Sequence, residues 1–272
     1  MKSRTITIIG ILLVAIIFLG GAGLAIKSFL DSRPVVFYDP ALERAVYDNI
    51  GYDRPITRKE AKKIAALDLA YMEGYGKEIS DLSGISYFSN LQKLNLADNN
   101  LTDTTELQKL KKLQILSLEN NEISDVSGLA SLVKLQLLDL DSNKVSDISA
   151  LKRLKELKVL DLRGNMISDI CSLSAMQNLE CLYIGGNEIS DISPLEPLQK
   201  MAYLSMEDNY IKDITPIGNM KALHHLLMAN NRIDDISVLA GLPGIEYLDI
   251  QGNPIDTGFT LDDVPESCTV IQ

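Results

Sequence analysis

The sequence has no tryptophan, two histidines and three cysteines in 272 residues. Cys171, Cys181 and Cys268 form no CxxC pair and no cluster with histidine, which is the grouping that a transition-metal site needs. His224 and His225 are adjacent and have no nearby side chain suited to form a nucleophilic pair with them. The sequence therefore predicts no metal, no cofactor and no enzyme activity.

Positive charge is also scarce. The chain has 26 lysine and arginine residues against 37 acids, a formal net charge of −11. Lys2, Arg4 and Lys27 are the only charged residues before Asp31, so the part from Asp31 onward has 23 bases against 37 acids and a net charge of −14. A surface of this sign repels phosphate, and we expect neither nucleic acid nor anionic lipid as a ligand.

One long uncharged run lies near the N-terminus. Residues 6–26 contain no charge and, at about 20 residues, are long enough to cross a bilayer as a helix. The bases that precede this run place residues 1–5 in the cytoplasm and the rest of the chain outside, by the positive-inside rule. The sequence thus predicts a single-pass protein of the cell membrane, with a signal anchor at 6–26 and a tether at 27–38. The motif Gly-Leu-Ala at 23–25 also fits a signal-peptide cleavage site, which leaves a secreted product as the alternative.

A repeat of 22 residues occupies the chain from residue 91 to residue 256. The pattern LxxLxLxxNxIxDIxxLxxLxx returns eight times without an insertion, which predicts a solenoid. Each LxL step is typical of a short strand that buries two leucines and exposes the residue between them. We expect these strands to stack into one parallel sheet.

Asparagine and aspartate each recur at one fixed position of the repeat, and we call each set of these residues a column. The asparagine column contains Asn99, Asn121, Asn143, Asn165, Asn187, Asn209, Asn231 and Asn253. The aspartate column contains Asp103, Asp125, Asp147, Asp169, Asp191, Asp213 and Asp235. An asparagine amide can satisfy buried backbone groups of a turn, and an aspartate before serine suits an N-cap. One carboxylate per repeat in fixed register favours an architectural role over a catalytic or calcium site.

Residues 39–90 differ from the repeats and predict a helical N-terminal cap with a degenerate repeat. Asp39, followed by proline, is typical of the start of a helix. Thr57 and Glu60 form a capping box for a second helix to about Ala66. A solenoid needs such a cap because its first repeat would otherwise expose an apolar face.

Both ends of the repeat array continue its pattern weakly. Residues 67–69 are a strand-like Leu-Asp-Leu step, and residues 79–84 match the convex part of the repeat. After the last full repeat, Leu261 and Val264 still occupy positions at which the repeat pattern has leucine. Residues 257–272 are therefore predicted to form a C-terminal end cap.

These segments predict an α/β repeat solenoid. It is a right-handed leucine-rich-repeat superhelix with a concave parallel β-sheet, a convex side of 3-10 helices and turns, and a helical N-terminal cap. The repeat, the D-P-x-L-E-x-A helix before it and the motif ISDLSGI resemble the internalin-type leucine-rich-repeat proteins of Gram-positive bacteria over residues 39–256. The resemblance implies a curved solenoid whose concave face binds host or bacterial surface proteins. The sequence shows no immunoglobulin-like module after the repeats and ends in PESCTVIQ rather than an LPxTG signal, which weakens the implication of host invasion.

The residues beside the strand leucines are expected on the concave face, and they form an apolar stripe that becomes aromatic towards the C-terminus. The predicted partner-binding residues are Ile115, Leu137, Val159, Tyr183, Tyr203, His225, Leu227 and Tyr247. Exposed tyrosines and apolar residues are favoured at the centres of protein interfaces. The same residue types also favour strands, so sheet formation alone is the alternative interpretation.

The residues of this stripe, which differ from one repeat to the next, thus predict a function. We expect a non-enzymatic protein-binding scaffold at the bacterial cell surface, with a protein of the bacterial envelope or of a host surface on the concave face. A secreted adhesin for a host receptor is one alternative. A polysaccharide-binding envelope protein is another, because tyrosine faces and aspartates also suit sugars.

Overall fold

The computed structural model describes residues 26–71, 78–255, 264–265 and 267–271. Within these residues, ten strands form one parallel sheet in sequence order, β1 to β10. The strands are Ala66–Asp68, Lys93–Asn95, Ile115–Ser117, Leu137–Asp139, Val159–Asp161, Cys181–Tyr183, Tyr203–Ser205, His225–Leu227, Tyr247–Asp249 and Thr269–Ile271. The 3-10 helices of the same residues are Ile85–Tyr87, Thr105–Lys109, Ser127–Ser131, Ser149–Arg153, Cys171–Ala175, Ser193–Leu195, Thr215–Ile217 and Ser237–Gly241. The predicted fold class, a capped leucine-rich-repeat solenoid, is confirmed.

The first helix of the cap, α1, spans Pro40–Ile50. The carboxylate of Asp39 accepts a backbone N–H of the first turn at 2.8 Å, as an N-cap does. Gly51 ends the helix in the left-handed region at φ 68°, where glycine has no Cβ to strain. Leu42 and Val46 lie one turn apart and are fully buried. The helix therefore covers the apolar end of the solenoid, as predicted.

The second helix of the cap, α2, spans Arg58–Ala61 and starts with the predicted capping box. The hydroxyl of Thr57 accepts the N–H of Glu60, whose carboxylate accepts the N–H of Thr57 at 2.9 Å. The helix is shorter than the sequence predicted. Residues from Ala66 pair in register with β2, so the chain must already be extended where the pattern still allows a helix.

The repeats bury their leucines in one continuous core. Each strand residue pairs with the residue 22 positions further on, as Leu94 does with Leu116 and Leu116 with Leu138. Both leucines of each LxL step are buried, for example Leu94 and Leu96. The residue between them faces away from this core, as the alternation of a strand requires.

The asparagine column has the structural role that the sequence predicted. The Oδ1 atom of Asn165 accepts the N–H of Val145 at 2.9 Å. Its Nδ2 atom donates to the carbonyls of Leu140, Leu162 and Arg163 at 2.9, 3.1 and 2.9 Å. One amide thus closes its own turn and joins it to the preceding repeat, and the other columnar asparagines form equivalent bonds.

The residue before each columnar asparagine adopts a left-handed backbone, with φ between 51° and 67°. These residues are Asp98, Asn120, Ser142, Gly164, Gly186, Asp208, Asn230 and Gly252. Glycine, asparagine and aspartate tolerate this region best because their side chains strain it least. The turn that ends each strand therefore selects the small and polar residues seen at this position.

The aspartate column starts the 3-10 helices. The carboxylate of Asp147 accepts the N–H of Ser149 at 2.7 Å, and the columnar aspartates of the other repeats accept equivalent bonds. This backbone hydrogen bond lowers the pKa of Asp147 below its usual value. The prediction of an architectural role is confirmed.

The last strand, β10, was not predicted from the sequence. It pairs with β9 so that Val270 lies beside Leu248. Val270 follows Leu248 by one repeat length of 22 residues, so the signal was a valine in a column of leucines. Val264 is buried, whereas Leu261 lies outside the described residues.

The prediction of a single-pass protein of the cell membrane, anchored by residues 6–26, is contradicted. Among the residues that the structure describes, no helix is long and apolar enough to cross a membrane. The longest helix of these residues, α1, has 11 residues and spans about 16 Å, whereas a bilayer core is about 30 Å thick. The anchor up to residue 25, the cytoplasmic tail and the cleavage motif at 23–25 lie outside the described residues.

Candidate functional site

The eight predicted partner-binding residues lie on consecutive strands, and all of them are half-buried. Ile115 lies on β3, Leu137 on β4, Val159 on β5, Tyr183 on β6, Tyr203 on β7, His225 and Leu227 on β8, and Tyr247 on β9. Their side chains are on the face of the sheet opposite to the leucine core. We call this surface the concave face. Their role in binding stays a prediction.

The structure brings the four aromatic members of the predicted partner-binding residues together in one row of rings. The ring centroids of Tyr183 and Tyr203 are 4.9 Å apart. The centroids of Tyr203 and His225 are 5.5 Å apart, with an angle of 20° between the ring planes. The centroids of His225 and Tyr247 are 6.2 Å apart, at 21°. We call these four residues the ring row.

Strand register explains why the rings stack. Tyr203, His225 and Tyr247 are register partners on neighbouring strands, so their rings follow one another at the strand spacing of about 4.8 Å. Tyr183 lies in the other column of the concave face, where its register partner is Ser205. Cys181, the partner of Tyr203, is small and leaves room for the ring of Tyr183 to tilt towards Tyr203.

Arg163 covers the N-terminal end of the ring row. Its guanidinium carbon lies 5.2 Å from the ring centroid of Tyr183, within the range of a cation–π contact. The same guanidinium donates to Asp161 through Nε at 3.0 Å and through Nη2 at 2.5 Å. It also lies 3.4 Å from Asp141. No spacing in the sequence predicts this contact of Arg163 with a ring.

The aliphatic part of the stripe continues the ring row across the sheet. Ile115, Leu137 and Val159 are register partners, and Cys181 joins this column to Tyr203. Leu227 lies in the other column, between Ser205 and Asp249. It therefore flanks the ring row.

The carboxylates of Glu119, Asp139, Asp141 and Asp161 lie beside the aliphatic part of the stripe. The raised pKa values within this group were not predicted from the sequence. Burial, together with the charges of Asp161, Glu119 and Asp141, raises the pKa of Asp139 to about 6, although the backbone hydrogen bond from Asp141 lowers it. Burial, with the charges of Asp141 and Asp98, also raises the pKa of Glu119. Like charges held close together on a half-buried surface oppose ionisation.

The stripe offers no activated nucleophile. Burial raises the pKa of the thiol of Cys181, and the Asp169 carboxylate raises that of Cys171. Both thiols are therefore less reactive than a free cysteine. Burial also raises the pKa of Tyr183 and Tyr203, so both phenols are neutral at physiological pH. In the described part of the chain, no group of three or more histidine, cysteine or acidic side chains could hold a metal ion.

The raised pKa of Asp139 predicts a pH-dependent gain in stability for Asp139→Asn. The unfolded pKa is about 3.9, so Asp139 is protonated in both states well below pH 4. Its raised pKa destabilises the fold increasingly from about pH 4 to about pH 6 and by a constant amount at higher pH. Asparagine keeps the acceptor for the N–H of Asp141 and removes the charge. We expect the variant to be more stable than the parent by about 1–2 kcal/mol at pH 7.5 and equally stable at pH 4, allowing for partial exposure.

Urea denaturation of both proteins at the two pH values measures this difference. Asp161→Asn is the matched control in the same column, because it breaks the bidentate pair with Arg163 and should lower stability at pH 7.5. A stability difference for Asp139→Asn that is the same at pH 4 and pH 7.5 would contradict the raised pKa.

The sequence and the fold both match known repeat proteins. The family described as "Leucine Rich repeats (2 copies)" matches residues 89–131, 133–175, 177–219 and 221–260, which is more than half of the chain. A solved internalin (inlF) of Listeria monocytogenes is 28% identical, with a TM-score of 0.73 over 89% of this chain and 78% of that one. Internalin C2 of the same species is 33% identical, with a TM-score of 0.72 over 87% of this chain and 95% of that one.

A more distant solved structure is the leucine-rich-repeat ectodomain of the membrane receptor kinase GASSHO1/SCHENGEN3 from Arabidopsis thaliana. It is 25% identical, with a TM-score of 0.63 over 73% of this chain and 26% of that one. No curated protein sequence matches this chain. The repeat family covers more than half of the chain, and internalin C2 is alike in sequence and almost full length. The chain therefore belongs to the leucine-rich-repeat family and, within it, to the internalin-like proteins.

Proposed function

We propose that the chain is a non-enzymatic scaffold that binds a protein ligand, of a bacterial envelope or of a host surface, across its concave face. The observation that carries this proposal is the ring row, in which four half-buried rings lie next to one another outside the core. The leucines between these residues already fill the core, so the fold does not need the rings. Large rings with a polar edge are the side chains that contribute most at interface centres.

Two further observations support the proposal. The aliphatic column extends the ring row over five strands without a charged residue, from Ile115 to Tyr203. The similar plant ectodomain was solved in complex with CASPARIAN STRIP INTEGRITY FACTOR 2. We also propose the domain boundaries predicted from the sequence, with a cap at 39–90, repeats at 91–256 and an end cap at 257–272.

Nucleic acid is not proposed as a ligand. The chain has a net charge of −11, and the carboxylates of Glu119, Asp139 and Asp141 lie beside the stripe. Phosphate backbones are held by lysine and arginine, and a face of this sign repels them.

The test is binding by the full-length chain and by a Tyr203→Ala/Tyr247→Ala variant. Proteins extracted from bacterial envelopes and from host cell surfaces are passed over the immobilised chain, and the retained protein is identified and its affinity measured. We expect the double variant to bind at least about tenfold more weakly, because each truncation removes a half-buried ring from the centre of the face. Its circular dichroism spectrum should not change, since neither ring is part of the core.

Tyr210→Ala is the control for this experiment. Tyr210 is exposed and lies outside the strands of the concave face, so its truncation should leave the affinity unchanged. Equal affinity of the double variant and the parent would contradict the proposal. Retention that survives protease treatment of the extract would instead support a polysaccharide, for which stacked tyrosine faces are also suited.

A further inference from the structure

The concave face has an acidic end as well as an aromatic end. Asp139 and Asp161 are register partners on β4 and β5, and Glu119 and Asp141 follow two residues after the ends of β3 and β4. The ring row occupies β6 to β9. The two ends therefore belong to one continuous surface of one sheet.

Arg163 neutralises only part of the acidic end. Its guanidinium is paired with Asp161 and lies near Asp141. Among the residues that the structure describes, Glu119 and Asp139 have no salt bridge to a basic side chain. Burial and mutual repulsion raise the pKa of both groups, so this charge is held at a cost that a cation would relieve.

Most bases of the neighbouring repeats lie outside the concave strands. Exposed lysines occur in the turns that lead into the strands, at Lys111, Lys112, Lys134, Lys155 and Lys158. Lys93 on β2 is on the same face, as the register partner of Ile115, but among the described residues it forms no salt bridge with Glu119 or Asp139. The negative charge of the four carboxylates is therefore only partly balanced by bases on the same face. A ligand that covers this face must supply the positive charge itself.

We infer that the ligand of the concave face is a basic segment of a protein, held at one end by Glu119 and Asp139 and at the other by the ring row. An arginine or lysine of the segment lies between the two carboxylates, and an aromatic or leucine side chain packs on Tyr203, His225 or Tyr247. This inference rests on the proposed function and adds the chemistry of the partner. It is carried by charge complementarity together with the stacked rings on the same sheet face.

The spacing of the sheet sets the length of the segment. Asp139 on β4 is three strands from Tyr203 and five strands from Tyr247. At about 4.8 Å per strand this is about 14–24 Å, which an extended chain covers in about four to seven residues. The basic residue and the apolar residue of the ligand should therefore be separated by about that number of positions.

Selection from a random dodecapeptide library displayed on phage tests this inference without a known partner. The immobilised protein is the full-length chain. We expect the selected peptides to contain at least twice as much arginine and lysine as the unselected library, with an aromatic residue or leucine about four to seven positions from the base. A selected peptide should also bind at least about tenfold more weakly when NaCl is raised from 50 to 500 mM, because an exposed charge pair is screened.

Two variants separate the ends of the face. Selection on Glu119→Gln/Asp139→Asn should lose the excess of bases and keep the aromatic residues. Selection on Tyr203→Ala/Tyr247→Ala should lose the aromatic residues. Glu156→Gln/Glu196→Gln is the matched control, because it removes the same charge from exposed positions outside the concave strands and should give the peptides of the parent chain.

The outcomes distinguish this inference from the proposed function. Peptides that depend on Tyr203 and Tyr247 but contain no excess of bases overturn the basic ligand and leave the binding face standing. Peptides that neither variant affects overturn both. A dimer in sedimentation that dissociates in the Glu119→Gln/Asp139→Asn variant also overturns the basic ligand, because the face is then covered by a second copy of the chain.

Discussion

Replacing Asn165 with alanine lowers the free energy of unfolding by about 3–5 kcal/mol, because it leaves several buried polar groups without partners. The amide of Asn165 is the hydrogen-bond acceptor for the N–H of Val145 and the donor to three carbonyls. Alanine restores none of these bonds, and Asn165 is buried in the middle of the array. Urea denaturation followed by circular dichroism measures the loss.

Asn178→Ala is the control for that prediction. Asn178 is also an asparagine with a side-chain bond to a backbone carbonyl, that of Lys155 at 2.9 Å, but it is exposed. Water replaces its bonds, so the variant should lose less than about 1 kcal/mol. Asn253→Ala, at the last and partly exposed position of the column, should fall between the two. Equal losses at all three positions would contradict the assignment of the column as a buried ladder.

The repeat strands could be predicted from the sequence because each is fixed by local residues. The LxL step determines which side chains enter the core, and the asparagine after it determines the turn. The strands β1 and β10 were harder to predict, because they lie outside the full repeats and are determined by their pairing with β2 and β9. A single valine, Val270, marks β10 in the sequence. The helix α2 ends early because the pairing of β1 with β2 requires an extended chain from Ala66.

The candidate site could be predicted in composition but not in its contacts. Position in the repeat places Tyr203, His225 and Tyr247 in one column, so their stacking follows from register. The contact of Tyr183 with Tyr203 depends on a ring that tilts between columns, which no spacing reveals. The raised pKa of Asp139 depends on the burial of one carboxylate among several. How far a residue of this face is buried depends on the side chains packed around it, which the repeat pattern does not specify.

Gly128→Ala should destabilise the protein by about 2–4 kcal/mol, because an added Cβ overlaps the backbone of the preceding repeat. A Cβ on Gly128 would lie 2.1 Å from the carbonyl oxygen and 2.4 Å from the carbonyl carbon of Thr104. A side-chain rotation cannot relieve this overlap, since both atoms belong to the backbone. The chain must shift one 3-10 helix away from the next, in the region where Asp103 and Asp125 form a β-bridge.

Other repeats carry a side chain at the position of Gly128, such as Ala150, so the repeat pattern alone predicts that alanine is harmless there. The difference arises at Thr104, which is buried and whose hydroxyl donates to the carbonyl of Asp125 at 3.1 Å. Gly241→Ala is the matched control, because its Cβ would meet no heavy atom closer than 3.5 Å. We expect that variant to unfold at the denaturant concentration of the parent or slightly above it, since alanine restricts the unfolded chain. If Gly128→Ala unfolds there too, the close approach of the two repeats is not rigid.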